Sequence, residues 1–272
     1  MIDIKKELLK TARDSIRLEI GGAVKGLTKF GGKPDVPEDF EWAYYNGRPL
    51  AFLMQLDLSE MPPAPHPHHL LWLPNTGVLS FFYELETKPQ SVDDEDFGFV
   101  RVYWFEDKTA LHGTEFPDDL KAEYRLPALK ITARSEKSYQ SYPDFLLQRA
   151  KLVEDWESFE RAQNSIGIDD SGNRSKMLGW ADPIRGNMTA DCELMSRGYF
   201  LGDGQGRSEI TPLDRQEAEQ WSAKDWVPLL QLDTVTDGDF SLDFGGGRIY
   251  FYIRRDDLAD RNFKNIMLFL QK

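Results

Sequence analysis

Two stretches of this chain carry nearly the same text. Pro49-Leu50 leads into Leu53-Met54-Gln55-Leu56-Asp57, and Pro228-Leu229 leads into Leu230-Gln231-Leu232-Asp233. Each Gln-Leu-Asp is followed by a glycine and an apolar strand. The first is Gly77-Val78-Leu79-Ser80-Phe81-Phe82-Tyr83 and the second Gly247-Arg248-Ile249-Tyr250-Phe251-Tyr252. An acidic turn, a phenylalanine and a last strand complete the order both times. In the first stretch these are Asp93–Asp96, Phe97 and Val100–Phe105; in the second, Asp256 to Asp260, Phe263 and Ile266–Leu270. Matched strands joined by connections of unequal length are the pattern of a repeated β-unit, because loops accept insertions that strands do not. We expect an α+β fold of two related, mostly antiparallel β-units, about 30–106 and about 178–271. They pack as one body within a single domain over 1–272, with helices covering the sheets.

Local patterns supply the remaining elements. Ile4, Leu8, Leu9 and Ala12 recur at helical spacing and predict a short amphipathic helix over 3–13. Ile16, Leu18 and Ile20 alternate with Arg17 and Glu19 and predict a half-buried strand ended by Gly21-Gly22. Apolar residues from Phe145 to Phe159 at spacings of three and four predict a long helix over 143–163, with Trp156 on its apolar face. Thr211-Pro212 with Asp214 reads as a helix start, with Thr211 as N-cap and the acidic residue near the positive end. Strands are predicted over 52–58, 78–83, 100–105, 228–233, 247–253 and 266–270.

Bulk properties restrict the function class. The net charge is -13, from 33 basic and 46 acidic side chains. This disfavours a general nucleic-acid binder, which displaces counterions with cationic surface. It favours encounter with a basic protein partner. No run approaches the ~20 apolar residues that span a bilayer, so no membrane association is expected. Met1–Leu9 lacks an apolar signal core, and the single cysteine, Cys192, permits no internal disulfide. Both point to the cytoplasm.

The ordered segments resemble the YwqG-like proteins, a bacterial domain family of unknown function. They are Lys29–Pro34 with Pro37 and Trp42, Pro49–Asp57, Gly77–Phe82, Leu178–Ile184, Asp191–Leu194, Leu229–Asp233, and Gly247–Leu258 with Arg261–Phe263. The resemblance runs from about residue 15 to the end. It implies an α+β fold and supplies no activity, ligand or catalytic residue. Two positions depart from the family pattern. Asp243–Gly247 stands where a Trp-Gly-Asp is common, and Arg185 where a Gln is common.

Candidate sites follow from side-chain chemistry. Gln55/Asp57 and Gln231/Asp233 each share one strand face, because side chains alternate. If the two pairs meet, their oxygens suit a polar ligand or a cation, with Arg185 as a further contact. The structural alternative is that glutamine bonds backbone and aspartate caps a turn. His66, His68 and His69 form a histidine tract that suits a transition metal, but the neighbouring prolines read equally as a solvated loop. His112 stands alone. Cys192 has no histidine nearby in sequence and is flanked by Asp191 and Glu193, which oppose a thiolate. Leu201–Ser208 lacks the Gly-Lys-Ser/Thr ending of a phosphate loop, and Asp169–Asn173 fails the spacing of a calcium loop. Trp42, Trp180 and Trp226 lie in Gly/Pro-flanked segments that suit either the core or a groove wall.

No coherent catalytic set emerges and no cofactor is implied. The reading favours a non-enzymatic acidic interaction protein, in the manner of an immunity protein or antitoxin. The alternative is a small-ligand-binding protein or enzyme with a cleft between the two repeats.

Overall fold

The computed structural model describes residues 3–62, 73–91, 97–142, 156–167, 172–202 and 209–272. Helix α1 (Ile4–Lys10) starts at Asp3, whose side chain accepts from the Lys6 N–H, and ends at Thr11. It is shorter than the predicted helix because the chain turns at once into β1 (Arg13–Ile20). Two-residue strands follow: β2 (Lys29–Phe30), β3 (Asp35–Val36), β4 (Tyr44–Tyr45) and β5 (Arg48–Pro49). Strands β6 (Ala51–Asp57), β7 (Val78–Tyr83) and β8 (Val100–Phe105) form a first meander. Short β9 (His112–Gly113) pairs with β3, and β10 (Leu129–Ser138) pairs with β1 along its whole length.

The second half carries α2 (Trp156–Ile166), β11 (Lys176–Met177), α3 (Thr189–Ser196) and α4 (Pro212–Asp225). Helix α4 opens at the expected N-cap Thr211, which forms a capping box with Asp214, and has Pro212 in its first turn. It runs directly into β12 (Trp226–Leu232), so this strand begins two residues earlier than expected. The small hairpin β13 (Val235–Asp237) and β14 (Phe240–Leu242), then β15 (Arg248–Arg254), α5 (Arg255–Ala259) and β16 (Met267–Gln271), complete the chain. The expected acidic turn at Asp256-Asp257 is the first turn of α5, where the helix dipole favours carboxylates. The tract His66 to His69, the turn Asp93–Asp96, the helix over 143–155, Asp169-Asp170 and loop residues 203–208 lie outside the described residues.

The fold is mixed, with five helices among the described residues and one large antiparallel sheet. Its ten strands run in the order β16-β15-β12-β11-β1-β10-β2-β6-β7-β8. A meander thus forms each wing, and the long β1–β10 pair joins them at the centre. The sheet curls until it is nearly barrel-like. Phe81 of β7 and Phe251 of β15 pack edge to face across the interior, with ring centres 5.4 Å apart. Edge strand β16 is capped by Ser91, whose N–H donates to the Leu268 carbonyl while its hydroxyl accepts from the Leu268 N–H. One continuous apolar cluster takes side chains from both wings, from Ile16 to Leu268. The outer face of the second wing is covered by α3 and α4, with Cys192 of α3 packed in one cluster with Trp226 and Tyr250. The outer face of the first carries Phe40 and Trp42 against Phe82.

Candidate functional site

Met54 pairs with Phe81, and Leu230 pairs with Phe251, so these four face the interior. By alternation Gln55 and Gln231 face outward, each under its own wing's cover. Strands β11, β1, β10 and β2 stand between β12 and β6. At ~4.8 Å per strand the two glutamines are separated by ~24 Å along the sheet. The two Gln/Asp pairs therefore do not meet.

Each pair instead anchors the loop beside it. In the first wing the Gln55 side-chain carbonyl accepts from the Asp35 N–H at 2.8 Å, and its amide donates to the Asp35 carboxylate at 3.1 Å. Lys29 completes the set, 2.5 Å from that carboxylate. In the second wing Gln231 accepts from the Asp182 N–H at 2.8 Å and donates to the Asp182 carboxylate at 2.9 Å. Lys176 lies 2.6 Å from the same carboxylate. Lys29 pairs with Gln55 across β2–β6, and Lys176 with Gln231 across β11–β12. Gln55 and Gln231 are fully or almost fully buried. Their polar atoms are satisfied, as buried amides require.

The aspartates behave alike. The Asp57 N–H donates to the Thr28 hydroxyl, and the Asp233 N–H to the Ser175 hydroxyl, both at 3.0 Å. The Asp57 carboxylate caps Ser59 and binds Lys108 at 2.7 Å. Burial pushes its pKa up, but the hydrogen bonds from Lys108 and Ser59 outweigh burial and hold it below the ordinary value. The Asp233 carboxylate accepts from the Arg174 and Thr234 N–H groups and from the Arg248 guanidinium.

A cleft lies over the centre of the sheet, where the wings join. It encloses about 330 Å³, at the low end for small-ligand pockets. Its floor is the outer face of β1, β10 and β11; Ile16 and Leu18 point the other way, into the core. Arg17, Lys137, Arg174, Lys176 and Arg185 bring five cationic side chains, against the carboxylates of Glu136 and Asp182. A second hollow of about 650 Å³ shares Arg17, Glu136, Lys137 and Tyr139 and extends the groove along β1 and β10.

The cations are held in place. Arg17 makes a two-pronged bond to Glu136 at 2.9 and 2.8 Å, and a third bond to the Asn173 carbonyl. Lys176 is buried on Asp182. Burial pushes the Asp182 carboxyl up, but the Lys176 charge and the bonds from Lys176 and Gln231 hold it low, so this pair is ionic. The Tyr250 hydroxyl donates to the Asp182 carbonyl, and burial pushes its own pKa up to about 12. Arg185 is exposed at the rim. Its N–H groups are held by the Gln271 side chain and the Lys272 carbonyl.

Of the five residues singled out from sequence, Arg185 lines this cleft. Gln231 supports it from below through Asp182, and Asp233 through the Arg174 backbone. Gln55 and Asp57 belong to the other wing. The three tryptophans read as core or groove wall do not line this cleft. The Trp42 indole donates to the Leu50 carbonyl within an aromatic cluster, and Trp180 lies under the Arg13 guanidinium. Trp226 is 1% exposed and donates to Glu193. The indole in the cleft is Trp156, which the periodicity assigns to a packed helix face. Cys192 is fully buried, and burial pushes its thiol well up. His112 is exposed on β9. Among the described residues no group of three or more His, Cys, Asp or Glu side chains is set to hold a metal.

The missed residues left a trace in the sequence. Lys29 precedes Asp35 by six positions, and Lys176 precedes Asp182 by six, each across a Gly-containing turn. A search for charge pairs at matched spacing finds both.

A family model described as domain of unknown function (DUF1963) matches residues 28–271. The chain belongs to this family. The DUF1963 match takes in both meanders and both Lys–Asp–Gln sets, whereas Arg17 on β1 precedes it. No curated protein shows a significant match. Among the described residues of this DUF1963 chain no helix is long and apolar enough to cross a membrane.

Proposed function

We propose that this DUF1963 domain binds a small anionic ligand in the cleft over β1, β10 and β11. One observation carries the reading. In a chain of net charge -13, this cleft is lined by five cations and two carboxylates. Arg17 is matched by Glu136 and Lys137 by Asp14, while Lys176 and Arg174 share Asp182, at 2.6 and 3.9 Å. Asp182 thus answers two cations, and Arg185 lines the cleft on the same side, so positive charge is in excess there. A charge-assisted bond from a guanidinium is among the stronger polar contacts available to a carboxylate or phosphate. The cations of the cleft are engaged by carboxylates and backbone, and we read it as a binding site.

We also read the two wings as related units, the repeat expected from the sequence. Support comes from the equal Lys–Asp–Gln sets and the paired Thr28 and Ser175 bonds. The register also shifts at Phe52/Met54 and again at Pro228/Leu230. On that reading the common residues serve folding, and the differences mark function. At the spacing that matches Lys29 to Lys176, Arg174 answers to Leu27 and Arg185 to Glu38. The arginines on the open side are thus particular to one wing. Within DUF1963 we assign the chain to the YwqG-like proteins. With one cysteine and no possible internal disulfide, we assign it to the cytoplasm.

Calorimetric titration of the purified protein with phosphate, citrate and chloride tests the reading at constant ionic strength. The expected result is saturable binding of phosphate or citrate, weakened at least ten-fold in Arg174→Ala/Arg185→Ala. Binding that is absent, or unchanged in that variant, refutes it. The overall charge carries a second reading, a basic protein partner. Salt-sensitive co-purification of a specific basic protein supports that one, and its absence at low and high salt removes it.

A further inference from the structure

The same cleft has an aromatic wall. Five large apolar side chains are exposed among the described residues, and two of them, Trp156 and Ile184, line this one cleft. Trp156 is the first described residue of α2 and is 49% exposed. It is not loose. Tyr142 meets it edge to face with ring centres 5.1 Å apart, and the fully buried Phe159 lies one helical turn on at 6.0 Å. The indole is thereby fixed by its own aromatic cluster while a large part of its surface stays open. Ile184 stands beside Arg185 on the loop that Asp182 anchors, and its N–H is held by Gln271.

Exposed apolar side chains scattered singly need no explanation. A fixed indole and an exposed isoleucine in the same small cleft, next to an excess of guanidinium groups, do need one. An indole face suits a planar ring, and guanidinium planes stack on rings as well as bonding anions. We infer that the ligand is a planar aromatic anion, with its ring against Trp156 and Ile184 and its charged group toward Arg174 and Arg185. This rests on the anion-binding reading and narrows it. Nucleoside phosphates and aromatic carboxylates share the chemistry, and matched probes separate them.

The experiment compares two pairs of probes by calorimetric titration. AMP is set against ribose 5-phosphate, and indole-3-acetate against acetate. Within each pair the anionic group is kept and the ring removed. Stacking of one ring on an exposed aromatic is worth roughly five- to hundred-fold in affinity. The expected result is at least ten-fold tighter binding of the ring-bearing member in one pair, and which pair shows it names the source. Trp156→Ala removes that preference and leaves the ringless anion unchanged. Trp156→Phe, which keeps the aromatic cluster, retains most of it. If both members bind equally and Trp156→Ala alters neither, the ring assignment is overturned while the anion site stands. If no probe binds, or Arg174→Ala/Arg185→Ala leaves binding intact, both readings fall together.

Discussion

Replacing Asp182 by alanine is the sharpest test of how the cleft is held. Asp182 is the partner of Lys176 at 2.6 Å and of the Gln231 amide at 2.9 Å. Lys176 is 3% exposed, so without Asp182 its ammonium is left buried and unmatched. Breaking a buried pair by removing one partner costs about 3–5 kcal/mol. The Gln231 amide keeps the Arg174 carbonyl as an acceptor, and its own carbonyl keeps the Asp182 N–H, so that side adds little. We therefore expect Asp182→Ala to lose about 3–5 kcal/mol in urea unfolding at neutral pH, at unchanged m. The loss belongs to the stranded charge, so removing that charge restores stability. Lys176→Met/Asp182→Ala is expected to be more stable than Asp182→Ala by about 2 kcal/mol or more. pH supplies a third check. Burial already lowers the Lys176 pKa, and Asp182 opposes that shift. Without Asp182 the folded pKa falls further below the unfolded one. The folded state then binds fewer protons than the unfolded state, so the deficit of Asp182→Ala shrinks as pH rises toward the ordinary lysine value. A loss under about 1 kcal/mol, or a double variant no more stable than the single, refutes the assignment of a buried ion pair.

Two further outcomes follow from the same geometry. The carboxyls of Asp57 and Asp182 have folded pKa values below the ordinary 3.8. Their contribution is complete above that value and is lost as pH falls through the lowered ones, so acid titration of unfolding shows a decline below about pH 4 that Asp57→Asn reduces. Gly31 has φ +58°, and a Cβ there sits 2.2 Å from the Pro127 carbonyl oxygen, whereas Gly47, with φ +73°, has open space around it. Gly31→Ala is expected to cost roughly 3 kcal/mol or more and Gly47→Ala about 1 kcal/mol by thermal unfolding, and equal costs refute the steric argument.

Much of the frame was legible in order and in local chemistry. The six expected strands form within two residues of their predicted bounds, and Thr211, Pro212 and Asp214 declare the start of α4, because capping depends on residues within one turn. The site was less legible. The i, i+2 spacing of Gln55 and Asp57 says that they share a strand face, and it is silent about what covers that face. The cover is Asp35, twenty positions upstream, brought in by a turn through Gly31 and Gly32, whose φ values are +58° and +70°. Trp156 shows the converse. Its helical spacing is that of a core residue, yet the cleft beside it leaves half of it open. Periodicity reports which side of a helix a residue occupies, and only tertiary packing decides whether that side is closed.

The two Gln-Leu-Asp segments hold the frame, and the neighbouring arginines mark the site we propose. Both Gln–Asp contacts are made with equal geometry, one in each wing, and both end in a satisfied, buried polar set. A contact needed to anchor the loop beside each wing has to appear in both. A ligand contact does not, and Arg174 and Arg185 have Leu27 and Glu38 at the matching positions. Under the first wing the matched loop therefore has the same Lys–Asp–Gln anchor with less positive charge beside it. On the proposed reading, binding an anion beside one wing needs no change to the residues that hold the frame. It needs only charge and an open ring added to surface positions that folding leaves unconstrained. The cleft at the junction of β1 and β10, with Arg185 at its rim and Trp156 on its wall, is where those additions converge.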